Sequence, residues 1–489
     1  MRSMQSAEDA ITVDTLKKLF EKSADILFQE YTFNDQKVVF VICEAMVDQQ
    51  LLHGLVVKRV QDFCEGTETT QTGRDVIGQL HVPAIQKLTK KSDIISLVYT
   101  GNVILCFEDP DEIYSSNIAH KPNRNPEETK LEVSVKGPRD DFIEDVATNI
   151  AIIRKRIPTN SLCVEKFELG RRSKTTVALL YFDDIANKQT LQTLQQRLSQ
   201  VDIDVVFSGD ILMEKVEKNP LLFPLHDLTG RPDHAVQSLA RGRFLIFVDG
   251  TAYGIITPAN IGLLLKSGED NENPVIFSSF ERLLRFSGIV IGGMLPAFWL
   301  ALTTFHQNQM PMQLLATVVE SGMGLPFPTV MEMLLMIFMF ELFREAGLRL
   351  PAVIGGTISV VGGLIIGDAA INAGITSPAM IVVIASSTIA TFTLVNQSLV
   401  TAVSIIRLFF IALTAFFGLF GFFISLYFVI VYLAKIRVFD TPYLNFTSDI
   451  SLSSLSKTFF RMPTAQYKDR PEMLNPQDKT RAKEENHEK

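Results

Sequence analysis

Cysteine and tryptophan are scarce in this chain, and so are the signatures of common enzymes. Four cysteines occur in 489 residues. Cys43, Cys64, Cys106 and Cys163 are scattered through the polar half with no CxxC pair, so they read as reduced core thiols, not as a disulfide framework or metal ligands. The opening residues, "MRSMQSAEDAITVD", hold no apolar run of the kind a cleavable export signal requires. A long polar region after such a start is expected on the cytoplasmic side. The chain also lacks a GxxxxGK[ST] loop, a GxGxxG turn after a strand, an HExxH helix and a GxSxG elbow, which removes the usual nucleotide-binding and hydrolytic machineries. No catalytic residue, cofactor or metal site is expected. The net charge is −8, and nucleic acid is not an expected partner.

What is present divides sharply. Up to about Glu281 the chain is charged and turn-rich; from about Arg282 to Lys435 it is mostly apolar; a polar tail follows. Apolar stretches of ~20 residues match a hydrocarbon core of ~30 Å. The expected fold is an α/β soluble N-terminal region of two related subdomains followed by an all-α polytopic membrane domain. The expected boundaries are an N-terminal helix or tail at 1–24, one α/β subdomain at 25–120, a connector with a helix at 121–159, and a second α/β subdomain at 160–275. A membrane domain of four to five helices follows at 280–437, then a mobile polar tail at 438–489.

The two subdomains share one order of features. "QEYTFNDQKVVFVICEAMVDQQLLHGLVVKRV" runs from a short strand through a polar turn to a β run at Val38 to Cys43 and a helical pattern. "EKFELGRRSKTTVALLYFDDIANKQTLQTLQQRL" repeats that order, with its β run at Thr176 to Phe182. Each later offers a hairpin, "TGNVILCFEDPDEIYSSNI" and "RGRFLIFVDGTAYGIITP". Between them, Phe142 to Ile157 has helical spacing and ends at Pro158. The charges of "IRKRI" (Arg154, Lys155, Arg156) read as a solvated helix face, with contact to lipid phosphates the alternative, and "HDLTGRPDH" (His226, Asp227, Asp233, His234) as a solvated turn instead of a metal site.

Five apolar segments can be drawn, at about 284–305, 328–346, 351–373, 378–397 and 405–434. Arg282, Arg285, Arg344 to Arg349, Lys435 and Arg437 should face the cytoplasm. Five crossings would set the two ends on opposite sides, so four crossings with one interfacial or re-entrant segment is the competing arrangement. Trp299 reads as an interfacial anchor and Asn396-Gln397-Ser398 as a bend. Arg407 either snorkels to the interface or pairs with a buried carboxylate. In the second segment, Thr329 and Glu332 have capping-box spacing, while Glu341, Arg344 and Glu345 can pair along one helix edge. These four charged residues, Glu332, Glu341, Arg344 and Glu345, are candidates for coupling to the soluble region.

The glycine-rich segment carries the sharpest pattern. At ~100° per residue, Gly356, Ser359, Gly363, Gly367, Ala370 and Gly374 share a helix face, and Gly363-x-x-x-Gly367 is a close-packing motif in lipid. A second column reads Thr357, Val361, Leu364, Asp368, Asn372, apolar in the middle and polar at the ends. Three readings stand. The column lines a path in an oligomer, with Val361 and Leu364 as a constriction and Asp368 favouring cations; or Asp368 and Asn372 sit where the helix emerges and the small face packs within one subunit; or the column belongs to a transporter-like substrate site.

Longer phrases carry a resemblance. "VKGPRDDFIEDVATNIAIIRKRI", "ELGRRSKTTV", "GRPDHAVQSLARGRFLIFVDGTAYGIITP", "FERLLRFSGIVIGGMLPAFWLALTTFH", "PFPTVMEMLLMIFMFELFREAGLRLP" and "RMPTAQYKDRPEMLNPQD" jointly resemble the A subunits of GerA-type spore germination receptors, from about residue 90 to about 480. Gly230 replaces an acid usual before Arg-Pro-Asp, and Trp299 stands where tyrosine is common. The resemblance implies a multi-pass protein of the spore inner membrane, acting with a transporter-like B subunit that binds nutrient and a lipoprotein C subunit. It also implies homo-oligomerisation among membrane lipids, as a ring that conducts ions when nutrient is sensed. A scaffold or signal relay that conducts no ion is the alternative.

Overall fold

The run Val38 to Cys43 lies in strand β2 (Gln36–Cys43), which pairs antiparallel with β1 (Ile26–Phe33). Strands β3 (Gln86–Leu88), β4 (Asn102–Phe107) and β5 (Glu112–Asn117) complete a five-stranded sheet of order β1-β2-β4-β5-β3. A second sheet is built from β6 (Leu162–Leu169), β7 (Thr175–Phe182), β8 (Asp227–Thr229), β9 (Phe244–Val248) and β10 (Gly254–Thr257), in the order β6-β7-β9-β10-β8. Counted from its own first strand, each sheet has the same order.

This is a computed structural model, and it describes residues 11–34, 36–66, 80–108, 112–120, 138, 140–217, 222–349, 365, 367–444, 460–463, 467 and 469–481. The chain forms two units. One comprises Met1–Pro220, Leu228–Pro258 and Tyr467–Lys489, the other Leu221–Asp227 and Ala259–Gln466.

In the α/β unit, β2 is apolar without alternation because both faces of its sheet are covered. Val38, Phe40 and Ile42 enter one core with Leu52, Val56 and Val60. Val39, Val41 and Cys43 enter another with Leu16, Phe20, Ile94 and Val98. Of the first group of helical residues, Leu52 and Val56 lie on a π-helical turn at Leu52–Val56 that follows α2 (Gln49–Leu51), and Val60 lies on α3 (Val57–Glu65). The second comes from α1 (Val13–Leu19) with its C-cap Phe20, and from α4 (Lys91–Tyr99). Each fully buried aliphatic side chain contributes ~1.5–3 kcal/mol. All four cysteines are buried, and none forms a disulfide.

Helix α5 (Val146–Arg156) starts at Asp145, whose carboxylate accepts the Thr148 amide. It overturns the reading of "IRKRI" as a solvated face at Arg154, while Lys155 is exposed and Arg156 half-buried. Arg154 is 0% exposed, with Nε and Nη2 donating to Asp25 at 2.8 and 2.9 Å. Its Nη1 donates to the carbonyls of Thr159 and Leu162, and its guanidinium lies 4.1 Å from the Tyr99 ring centre. Burial pushes the Tyr99 hydroxyl up to about 12, although Arg154 pulls it down. Backbone bonds between Ala24 and Val164, and between Val164 and Lys22, flank this cluster, so it ties the first sheet's entry strand to β6.

Helices α6 (Lys188–Ser199) and α7 (Gly209–Glu217) bury Leu194, Leu198, Leu212, Met213 and Val216. The segment "HDLTGRPDH" is not a solvated turn either. It forms β8 and the start of α8 (Pro232–Leu239), with Asp227, Arg231 and His234 buried. Arg231 and Asp233 pair through Nη2 and Oδ2 at 2.8 Å. Burial raises the Asp233 carboxyl, but the hydrogen bonds and charge of Arg231 outweigh it and hold it below its ordinary value. A charged residue survives burial when its partner lies two positions away in sequence, which no periodicity reveals.

The second unit is helical: α9 (Ile261–Leu264), α10 (Val275–Thr304), α11 (Met312–Gly322), α12 (Thr329–Arg349), α13 (Pro378–Thr391) and α14 (Gln397–Lys435). Among the described residues, α10 and α14 are long and apolar enough to cross a membrane. The segment at 378–397 gives the 14-residue α13, ~21 Å long and short of a ~30 Å core. Most of 351–373 lies outside the described residues.

Two glycine features shape this unit. In α10, a Cβ on Gly288 would stand 2.6 Å from the Ala390 carbonyl oxygen, and one on Gly292 would stand 2.6 Å from Thr391 Cγ2. A close approach of the small-x-x-x-small kind is thus made at Gly288-x-x-x-Gly292; Gly363 lies outside the described residues. In α14, Gly418 has φ 60 and ψ −139, a glycine-only conformation. The rings of Phe410 and Phe422 then lie 5.5 Å apart, where a straight helix would separate them by ~18 Å. The 405–434 segment is thus two arms folded at Gly418, and its start at Asn396 is a cap whose Oδ1 accepts the Leu399 amide.

Candidate functional site: charged residues in the helical unit

The apolar run "MLLMIFMF" makes α12 a helix, and its charged residues sit at either end. Glu332 is 3% exposed. The expected capping box does not form. Glu332 Oε1 accepts instead from Thr376 Oγ1 at 2.8 Å, the Ser377 amide at 2.7 Å and Ser377 Oγ at 2.9 Å. Ser377 caps α13, so the carboxylate meets the positive end of a different helix. Three donors from that neighbour outweigh one amide of its own first turn.

At the other end of α12, Glu341 pairs with Arg344 at 2.7 Å, as the three-residue spacing implied, and its second oxygen accepts from Arg407 Nη2. Arg344 Nη1 reaches Ser404 Oγ at 2.9 Å. Arg407 Nη1 reaches Ser387 Oγ at 3.3 Å, and that hydroxyl donates to the Gly292 carbonyl at 2.9 Å. One chain of polar contacts joins α12, α14, α13 and α10. Arg407 is 2% exposed, so of its two readings the pairing holds and the snorkel does not. Its Nε is buried without an acceptor, and two guanidiniums share one carboxylate. Glu345 is exposed on the same helix.

The glycine-rich segment is described only in part. Thr357, Val361, Leu364, Gly356, Ser359 and Gly363 lie outside the described residues. Gly367 and Ala370 are buried, and a Cβ on Gly367 would stand 3.6 Å from the Ile381 side chain of α13. Asp368 and Asn372 are exposed and joined at 3.1 Å. Gly374 does not belong to the small face. Its φ is +66, its amide bonds the Ile371 carbonyl and the Ile375 amide bonds that of Ala370, a pattern that terminates a helix through a left-handed glycine.

One site escaped the sequence reading. Asp270 is 0% exposed and accepts from Arg282 Nε at 2.6 Å and Arg285 Nη1 at 2.7 Å. Arg282 and Arg285 therefore share one buried carboxylate, and Glu281 stands 3.7 Å from Arg285 as a second partner. Their three-residue spacing on α10 was legible; Asp270, on a separate 3₁₀ turn at Gly268–Asn271, was not. Among the described residues, no group of three or more His, Cys, Asp or Glu side chains is placed to hold a metal ion.

These features define a membrane-associated protein in which an α/β body is continuous with an apolar helical unit bearing buried ion pairs. The chain belongs to the GerA family: the family described as "Bacillus/Clostridium GerA spore germination protein" matches residues 14–473. It is 38% identical over 453 residues to "Spore germination protein XA" of Bacillus anthracis, covering 92% of each chain. It is 33% identical to "Spore germination protein KA" of Bacillus subtilis (strain 168), over 95% of this chain and 86% of that one. "Spore germination protein GerLA" of Bacillus cereus is 32% identical over 82% of each. Among solved structures, the N-terminal domain of the A subunit of the Bacillus megaterium spore germinant receptor GerK3 has 26% identity and a TM-score of 0.40, covering 53% of this chain and 98% of that domain.

Proposed function

We propose that this chain is the A subunit of a nutrient-responsive spore germination receptor, seated in the spore inner membrane with its α/β unit on the core side. Copies assemble with one another, with a transporter-like B subunit and with a lipoprotein C subunit, and the assembly opens a cation path when nutrient is sensed. The role is non-enzymatic. The observation that carries the reading is the exposed Asp368–Asn372 pair within an apolar unit, because a carboxylate facing hydrocarbon is costly and a water-lined path removes that cost. Glu341, Arg344 and Arg407 supply an element with alternative pairings, which a partner's binding can bias.

A second reading has its own support. Gly367 already packs against Ile381 of the same chain, which favours a relay subunit whose small face is used internally. Spores carrying Asp368→Asn separate the two. The channel reading expects nutrient-triggered cation release to fall at unchanged protein level, and Val361→Ala or Leu364→Ala to germinate without nutrient. Unaltered release in all three variants would leave the relay.

A further inference from the structure

Residues 469–481 lie in the tail read from sequence as mobile, yet they close into a loop. The Arg470 amide donates to the Lys479 carbonyl at 2.8 Å, and Asp469 bridges Thr480. Arg470 Nη1 donates to the Asp478 carbonyl at 2.9 Å and its Oδ2 at 2.7 Å. Asp478 Oδ1 accepts the Thr480 amide and hydroxyl at 2.9 and 2.7 Å.

The loop is seated on the α/β unit, and every described bond to that seat runs one way. The Gln477 amide donates to the Ile185 carbonyl at 3.0 Å. Gln477 Nε2 donates to the carbonyls of Asp183 at 3.1 Å and Ala186 at 2.6 Å. Arg470 Nε donates to the Ala240 carbonyl at 3.1 Å. Leu474 and Pro476 are buried, and Pro476 stands against Gly242. The acceptors are carbonyls of two turns, just after β7 and just after α8, which no strand or helix satisfies. The tail brings donors to a surface of unmet acceptors.

We propose that residues 469–481 are a strap: a segment of this chain that is the occupant of the Asp183–Ala186 and Ala240–Gly242 turns and returns the chain to the α/β unit after the helical unit. A folded polar body stays on one side of a bilayer. The strap therefore puts the chain's entry to the helical unit, after Pro258, and its exit, before Tyr467, on the same side. The number of membrane crossings is even, and the five-crossing arrangement is excluded. The crossing parity rests on the membrane reading above; the strap does not.

The test uses the full-length protein. In detergent, trypsin cleavage after Lys479 should be about tenfold faster in Arg470→Ala than in wild type, with Gln477→Ala between them, because cleavage tracks opening of the seat. Equal rates in all three would overturn the strap. In sealed vesicles of one orientation, a membrane-impermeant maleimide should label Lys479→Cys and Lys58→Cys together, the native thiols being buried. Labelling from opposite faces, with the tail still slow to cleave, would overturn the even parity and leave the strap standing.

Discussion

Arg154 in the α/β unit and Arg407 in the helical unit are both buried, and they are solved differently. Arg154 holds a carboxylate of its own through two nitrogens, two carbonyls through the third, and an aromatic face. Arg407 shares Glu341 with Arg344, borrows one serine hydroxyl, and leaves Nε without an acceptor. A saturated pair has one good arrangement, so it welds. A shared carboxylate has two partners to choose between, so small shifts of α12 against α14 change its pairing at low cost. The contrast assigns rigidity to the body and adjustability to the helices.

The largest expected effect comes from breaking the saturated member. Arg154→Ala strands a buried Asp25 and should cost ~3–5 kcal/mol, read as a lower denaturant midpoint for modification of Cys43 and Cys163. Burial pushes the Cys163 thiol up to about 11, so native reactivity is low and the signal reports opening. A midpoint unchanged from wild type would remove the distinction between the two arginines.

Glu341→Gln should cost less, ~1–3 kcal/mol, because its side chain is 28% exposed. The sharper measurement is a double-mutant cycle with Arg407→Met in detergent thermal unfolding. If Arg344 and Arg407 compete for Glu341, the coupling should be well below that of Arg154 with Asp25. Equal couplings would show the helical network to be as fixed as the body.

The smallest effect concerns a surface pair, Arg470 and Asp478, of which the carboxylate is the exposed member. Hydrogen bonds from Thr480 first, and from Arg470 next, lower the Asp478 carboxyl from 3.8 to about 2. Its contribution is therefore whole above 3.8 and lost as pH falls through about 2. Susceptibility of the tail to a protease active over a wide range should be flat from about pH 8 to 5 and rise only below about 4. A rise near neutrality would assign the tail's protection to some other group.

Local pattern carried much of the secondary structure. The β runs at Val38 to Cys43 and Thr176 to Phe182, the helix ending at Pro158 and the pairing of Glu341 with Arg344 are properties of neighbours in sequence. Three of the failures share one cause. Arg154 finds Asp25, Glu332 finds Ser377 and Arg282 finds Asp270 across long separations or separate elements, and a charge with an invisible partner is indistinguishable from a solvated one. The glycines show the same limit. Gly288-x-x-x-Gly292 stood in the sequence unremarked, and spacing alone cannot say that a neighbour's backbone approaches there.

By itself, then, the sequence determined the division into a polar α/β part and an apolar helical part, and the family to which the chain belongs. Hydrophobic periodicity and composition are summed over many residues, so no single contact decides them. Only the tertiary structure decided which charges are buried, where the long helix folds at Gly418, and that the tail is held. Each of these depends on one atom meeting another from a distant part of the chain, and that geometry exists only once the chain has closed on itself.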